Sequence, residues 1–529
     1  MAAKFIGVDA SSTSITLVVY DFDQNCLISK KQIDMDELGN SLGVKLVKGM
    51  VSGPDNYYAV PGKVLAAGAQ RIMQMAADDK AFSNEEVLGM SFSVQGHLTA
   101  YLKKGIVDVL RNPSLNETLD KQIHEFFTCD CPTWMNKSTV KESRRLNEQI
   151  KAKGLNVITV AERYPAPQIL SRVGTSAYDD ADLIIVGNAF FPFFITGVPT
   201  FSGPGDAAAS GFVNLETLTL DQEAMALVAD DLHQKIIEVT PSGTLIGKAS
   251  PFFQAMGYTN LEVFTSDQDN IKSGAYLIFG PQIGQVSLGT SYTVSVLSKD
   301  PIPGFEGNFG SNDKEYPFLP LLCKNNGANS IERTLETYGF QRNDFKMVSE
   351  ALTRTGSGNN RAMALPWFEP EIMPYAPDAN GIVRQGYGKQ DFETDIRAVV
   401  EGNAASMKIW ADHYFKAILD GDFEGISFAG GTTNNPQVLQ VWADMFGVPG
   451  YCMYQAEDAT AIGAALTAAA DYFSQHSDPE MTLQKVVTRF LEANKPYIVQ
   501  PNTDAATDYK KSFIPAYREF EARHAQQRL

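Results

Sequence analysis

Two widely separated segments of this chain share one design, and that repeat limits the folds open to it. Residues 4–21 (KFIGVDASSTSITLVVYD) and 284–297 (GQVSLGTSYTVSVL) each read as a strand, a small polar turn and an alternating strand. A turn of small residues leaves N–H and hydroxyl donors exposed, so it can cradle an anion. One such hairpin near the start of each half implies two related lobes, each built on a sheet with its own anion-accepting turn. The length of 529 residues exceeds one ordinary core and agrees with two large domains. Helical stretches at Tyr58–Ala77 and Glu142–Lys153 alternate with short strands such as Val87–Phe92, which indicates α/β architecture. The periodicity breaks near 245–262, so the lobes are expected to span 1–254 and 255–529.

A net charge of −18 argues against a nucleic-acid partner, and a bound nucleotide needs a cation and local backbone N–H groups to offset that field. Five cysteines without a CxxC pair fit a reducing compartment, with Cys129 and Cys131 structural. The most apolar run, 183–199, is broken by Asn188, Pro192 and Gly197 and is shorter than the roughly 20 residues of a spanning helix. Buried packing is expected there, with no membrane partner. The N-terminus has no signal-peptide apolar region, and the cytoplasm is the expected location.

The chemistry-bearing residues cluster at strand ends. Ser266-Asp267-Gln268-Asp269-Asn270 is an acidic turn shortly before the second hairpin, and either aspartate could act as a general base. Asp9, at the end of the first strand beside Ser11-Ser12-Thr13, could hold a divalent metal through water. After the strand-like 426–429, Gly430-Gly431 lead to Asn435 as a helix N-cap, Pro436 in the first turn and Gly447 at the stop. A glycine pair there lets a ligand approach the backbone at the positive end of the helix dipole. Gln95-Gly96-His97, Trp134-Met135-Asn136 and Gly205-Asp206 offer hydrogen-bonding groups and an apolar wall to a polyol. Residues 243–249 look like a P-loop but are one residue short and lack Ser or Thr after Lys248. A base near a phosphate cradle points to phosphoryl transfer to a hydroxyl.

Taken in order, these segments resemble the FGGY carbohydrate kinases, most closely their eukaryotic-type xylulokinase branch, over nearly the whole chain. The matching stretches are GVDASSTSITLVVYD (7–21), VQGHLTAYLKKG (94–105), CDCPTWMNKST (129–139), PGDAAASG (204–211), Asp269-Asn270 with SLGTS (287–291), EGNAASMKIW (401–410), AGGTTNNPQVLQVWADMFGVP (429–449), AIGAALTAA (461–469) and AYREFEA (516–522). The resemblance implies two actin-like, ribonuclease H-type lobes with the active site in the cleft between them. It implies Mg-ATP as donor and a terminal hydroxyl of a ketose or polyol, D-xylulose first, as acceptor. It assigns the base to Asp269, and sugar contacts to Gln95, His97, Trp134, Asn136, Asp206, Asp269 and Asn270. It assigns ATP contacts to Ser12, Thr13, Gly289, Thr290, Ser291, Gly430, Gly431 and Asn435, metal binding to Asp9, and suggests a homodimer. The chain departs from the family pattern at Ser11 (usually Gly), Thr16 (usually Lys or Arg) and Asn136 (usually Asp). An amide at 136 donates as well as accepts, which alters hydroxyl recognition.

Overall fold

In a computed structural model the described residues are 3–201, 203–265, 282–303, 305, 307–310, 316, 318–388, 391–419, 421–453 and 455–526. The chain forms two compact units. One comprises Met1–Tyr276, Gly304–Lys314 and Thr460–Ala493; the other comprises Leu277–Pro303, Glu315–Ala459 and Asn494–Leu529. The boundary read from the sequence at 254/255 falls inside the first unit, and each unit is assembled from three separate stretches of chain.

The first unit is organised on a sheet of β1 (Lys4–Ala10), β2 (Ser14–Asp21), β3 (Cys26–Asp34), β4 (Val87–Val94), β5 (Leu245–Lys248) and β6 (Glu262–Phe264). Their order is β5-β6-β4-β1-β2-β3. β1 and β2 form the expected antiparallel hairpin, and β4 and β6 add in parallel on the other side of β1. β1 is buried along nearly its whole length, as a central strand covered on both faces must be. Even Lys4 is drawn in, with its ammonium 3.2 Å from Asp21 and 3.1 Å from Glu86.

The second unit repeats this plan with β7 (Ile283–Leu288), β8 (Tyr292–Ser295), β9 (Phe318–Lys324), β10 (Gly425–Ala429), β11 (Gly450–Cys452) and β12 (Tyr497–Val499) in the order β9-β8-β7-β10-β11-β12. Again the first strand of the hairpin pairs antiparallel with its partner and parallel with the strand on its other side. Each plan ends on an antiparallel strand, β5 on β6 and β12 on β11. The repeat legible in two hairpins therefore extends over six strands in order and direction.

Helices cover the sheets. The Ala-rich helix Ala459–His476 approaches β1 so closely that a Cβ on Gly7 would lie 1.9 Å from the Ala461 carbonyl oxygen and 2.4 Å from the Ala465 nitrogen. Gly7, a residue that weakens most strand interiors, is needed for that approach. One sequence expectation is corrected here. The helix expected over Tyr58–Ala77 spans Gly62–Ala77, while Tyr57–Val60 is a strand paired with Val51–Gly53. Pro61 disfavours helical backbone at Val60, and the aromatic and β-branched run before it suits a strand. The apolar run 183–199 is a buried strand and helix, and among the described residues no helix is long and apolar enough to cross a membrane.

Candidate active site

The β1–β2 turn organises the candidate residues of the first unit. Asp9 is half-buried near the end of β1, opposite Thr16 on β2 and Ser93 on β4. Thr16, where the family pattern has a cation, is only 6 % exposed. Ser11 Oγ donates to the Ser14 carbonyl at 3.0 Å and closes the turn. Ser12 Oγ donates to Gln95 Oε1 at 3.0 Å and accepts from Trp134 Nε1 at 2.8 Å. Three residues from three segments thus meet at one hydroxyl. Gln95 is set there by its own N–H, which donates to the Ala10 carbonyl at 2.9 Å and prolongs the β4–β1 pairing.

Asn136 is fully buried, and its Oδ1 accepts from Ser138 N–H at 3.2 Å and Ser138 Oγ at 2.8 Å. These donors fix which side of the amide is oxygen. Its Nδ2, like Nε2 of the buried Gln95, has no hydrogen-bond partner among the described residues. A carboxylate at 136 would supply an acceptor where this chain has a donor.

His97 is half-buried with a left-handed backbone (φ +62°), and its ring centroid lies 4.4 Å from that of Tyr164. Burial first, and the nearby Arg163 guanidinium second, push its pKa down to about 3. The imidazole is therefore neutral at physiological pH, with one donor and one acceptor nitrogen. Asp206 lies in the short helix Pro204–Ala208. The same segment is tied back to residue 166, because Ser210 accepts the Ala166 N–H at 2.9 Å.

The sequence reading did not single out Arg163 or Gln168. Arg163 brings a cation beside His97. Gln168 is fully buried and bonds to Thr99 Oγ1, the Thr133 carbonyl and the Arg163 carbonyl. Their only sequence signal is position beside Pro165, which opens a short helix (Pro165–Leu170).

In the second unit, Gly289, Thr290 and Ser291 form the β7–β8 turn, with Thr290 exposed. Parallel pairing of Ser287 with Ala429 brings the Gly430-Gly431 step against this turn. Gly430 has φ +94°, and a Cβ there would sit 2.8 Å from Leu288 C and 3.0 Å from Gly289 N. Gly431 has open space where its Cβ would be. Asn435 caps the helix Pro436–Phe446 through Oδ1 to Val438 N–H at 3.2 Å, while Nδ2 donates to the Phe345 carbonyl at 3.3 Å. Both ends of its amide are thus engaged in holding the helix start. Asp267, Asp269 and Asn270 lie outside the described residues.

The turns share one property. Among the described residues, no acceptor in the protein takes the N–H groups of Ser11, Ser12, Thr13, Gly289, Thr290, Ser291, Gly431 or Thr432. Consecutive unengaged amides suit phosphate oxygens, so the donor set fits a nucleotide. For a metal, Asp9 is a single carboxylate, and no group of three or more His, Cys, Asp or Glu poised for a metal occurs among the described residues. A single half-buried carboxylate suits a cation held mostly by water and phosphate, as Mg2+ is at such sites.

The doubled sheet, with an amide-rich turn after the first strand of each copy, defines a two-lobed actin-like ATPase fold. Residues 284–472 match the C-terminal domain of the FGGY family of carbohydrate kinases. The chain is similar to xylulose kinase of Rattus norvegicus, 25% identical over 539 residues and covering 98% of this chain and 96% of that one. Both matches make the FGGY carbohydrate kinases the family this chain resembles. Its fold is shared with a crystal structure of ligand-bound xylulose kinase from Lactobacillus acidophilus (TM-score 0.76, 17% identity, 98% of each chain). Plasmodium falciparum glycerol kinase with ADP shares it as well (TM-score 0.76, 13% identity, 100% of this chain and 99% of that one).

Proposed function

We propose that this chain transfers the γ-phosphoryl group of ATP to a terminal hydroxyl of a ketose, with D-xylulose as substrate and D-xylulose 5-phosphate as product. The observation that carries this reading is the end-to-end similarity to a xylulose kinase, which spans both units rather than the nucleotide half alone. In this reading Asp269 takes the proton of the attacking hydroxyl. Gln95, His97, Trp134, Asn136, Asp206 and Asn270 hold the sugar, with Trp134 as an apolar wall and neutral His97 bonding a hydroxyl. The amides of 289–291 and 431–432 and the turn at Ser12-Thr13 receive the phosphates, and Asn435 contributes by fixing the helix start beside them. Asp9 would hold Mg2+ through water, and the bound cation would offset charge on the phosphate oxygens. A cytoplasmic homodimer belongs to the same reading.

One observation favours a second acceptor. Asn136 places an amide where the family pattern has a carboxylate, so a different polyol or ketose (ribulose, glycerol or a tetritol) is the alternative. A coupled ADP-release assay with Mg-ATP over these compounds distinguishes the two. Turnover is expected with D-xylulose, and Asp269→Asn is expected to lower kcat by several orders of magnitude with little loss of binding. ATP binding without turnover on any compound would point instead to a non-catalytic actin-like switch. Loss of activity in Asp267→Asn but not in Asp269→Asn would move the base by two residues.

A further inference from the structure

We infer that Gln168 is a positioning residue for the sugar half of the site, an inference that rests on the kinase reading above. Its side chain is fully buried, and its hydrogen-bonding groups point at the segments that carry His97 and Trp134-Asn136 and at the 163–164 segment, whose Tyr164 ring packs on His97. Nε2 donates to the Arg163 carbonyl at 2.6 Å and to the Thr133 carbonyl at 3.2 Å. Oε1 accepts from Thr99 Oγ1 at 3.2 Å, whose single proton is shared with the His97 carbonyl, also at 3.2 Å. The Thr133 carbonyl in turn accepts the Asn136 N–H at 3.0 Å and so closes the turn that presents Trp134 and Asn136. One amide thereby pins the 97–99, 133–136 and 163–164 segments to each other.

A primary amide is the side chain this junction demands. Two of its three partners are backbone carbonyls, which need donors, and the third is a hydroxyl, which it meets with an acceptor. Glutamate has the same size but turns a carboxylate toward two carbonyl oxygens. Methionine fills the space and makes none of the bonds. None of these bonds involves a proposed nucleotide residue, and the 133–136 turn reaches one only through Trp134 and the Ser12 hydroxyl, so loosening them acts on sugar recognition more than on ATP recognition.

The test has two arms on the full-length protein. In steady-state kinetics, Gln168→Met and Gln168→Glu are expected to raise the sugar KM at least tenfold while the ATP KM stays within twofold. A parallel rise in both constants, or wild-type sugar KM in the glutamate variant, would overturn the inference. In ligand-free hydrogen exchange, Gln168→Met is expected to speed exchange at 97–100, 133–139 and 163–168 together, with the Val140–Lys153 helix unchanged. Change confined to 165–170, or none, would overturn it. This second arm needs no substrate, so absence of sugar turnover in the wild-type protein would defeat the kinase reading while the pinning role is still decided. If Gln168→Met does not fold, Thr99→Val removes only the Oε1 arm. Faster exchange is then expected at 97–100 alone, and an unchanged 97–100 would count against the role.

Discussion

Gly430 and Gly431 are neighbours in sequence with opposite structural demands, and substituting each by alanine separates fold from ligand. At Gly430 the backbone is left-handed (φ +94°), which costs a non-glycine residue about 1–3 kcal/mol. The new Cβ would also stand 2.8 Å from Leu288 C, 2.9 Å from Leu288 O and 3.0 Å from Gly289 N, all rigid backbone. Reaching ordinary contact requires the β7–β8 turn to move by several tenths of an ångström, an overpacking cost of about 1–3 kcal/mol. Together the two terms come to about 2–6 kcal/mol, a large share of the roughly 5–15 kcal/mol that holds a domain folded. At Gly431 the Cβ meets nothing within 4 Å, so Gly431→Ala is expected to leave stability nearly unchanged.

Urea unfolding followed by tryptophan fluorescence reads the stability term. Trp442, fully buried on the helix that follows and 5.6 Å from the Tyr292 ring, reports on this unit. Isothermal titration with ATP reads the ligand term. Gly430→Ala should lower the unfolding midpoint and weaken ATP at least tenfold, because the turn it displaces carries the 289–291 amides. Gly431→Ala should keep the midpoint and weaken ATP only if phosphate approaches that residue. Wild-type stability and ATP affinity in Gly430→Ala would refute the argument.

Two further substitutions test other parts of the molecule. Gly7→Ala would push the Ala459–His476 helix off β1 by more than an ångström, so loss of several kcal/mol or failure to fold is expected in circular dichroism melts; a melt like that of wild type would sink the packing argument. Glu401 is fully buried, and burial pushes its pKa from the ordinary 4.5 up to about 7, against the Arg397 guanidinium at 3.0 Å and hydrogen bonds from Tyr509 and Gly358. Between those pH values the folded state holds more protons than the unfolded chain, so this group's contribution to stability falls as pH rises, by at most about 1.4 kcal/mol per pH unit. The difference in unfolding free energy between the wild type and Glu401→Gln, measured from pH 4.5 to 7.5, should show that slope; a pH-independent difference would count against it.

The parts of this fold that were legible in the sequence are those where local chemistry and tertiary role coincide. Small residues between alternating strands make a hairpin wherever they occur, so 9–13 and 289–291 could be read directly. Asn435, Pro436 and Gly447 terminate a helix by local rules, and the structure has the helix Pro436–Phe446 between them. What stayed hidden depends on partners far along the chain. Nothing local joins Ser12 to Gln95 and Trp134, or Gly7 to Ala461, because these meetings follow from sheet order and helix placement. Gln168 was missed because a buried amide that bonds carbonyls has no spacing or pattern of its own. The boundary at 254/255 was drawn as if lobes were contiguous, whereas residues 460–493 return to the first unit.

The doubled topology also sets two turns of similar design in different surroundings. Each follows the first strand of its sheet, each precedes an antiparallel partner, and each has three amides with no acceptor among the described residues. The side chains then part ways. In the first, Ser12 is bound between Gln95 and Trp134, so that turn is locked to the residues proposed to hold sugar. In the second, Thr290 is exposed and the turn is pressed from behind by Gly430. A ligand at the first turn therefore meets amides and a side-chain network together, while at the second it meets amides and a bare glycine step. In the kinase reading proposed above, phosphates would meet a turn linked to the acceptor residues in the first unit and an open turn in the second.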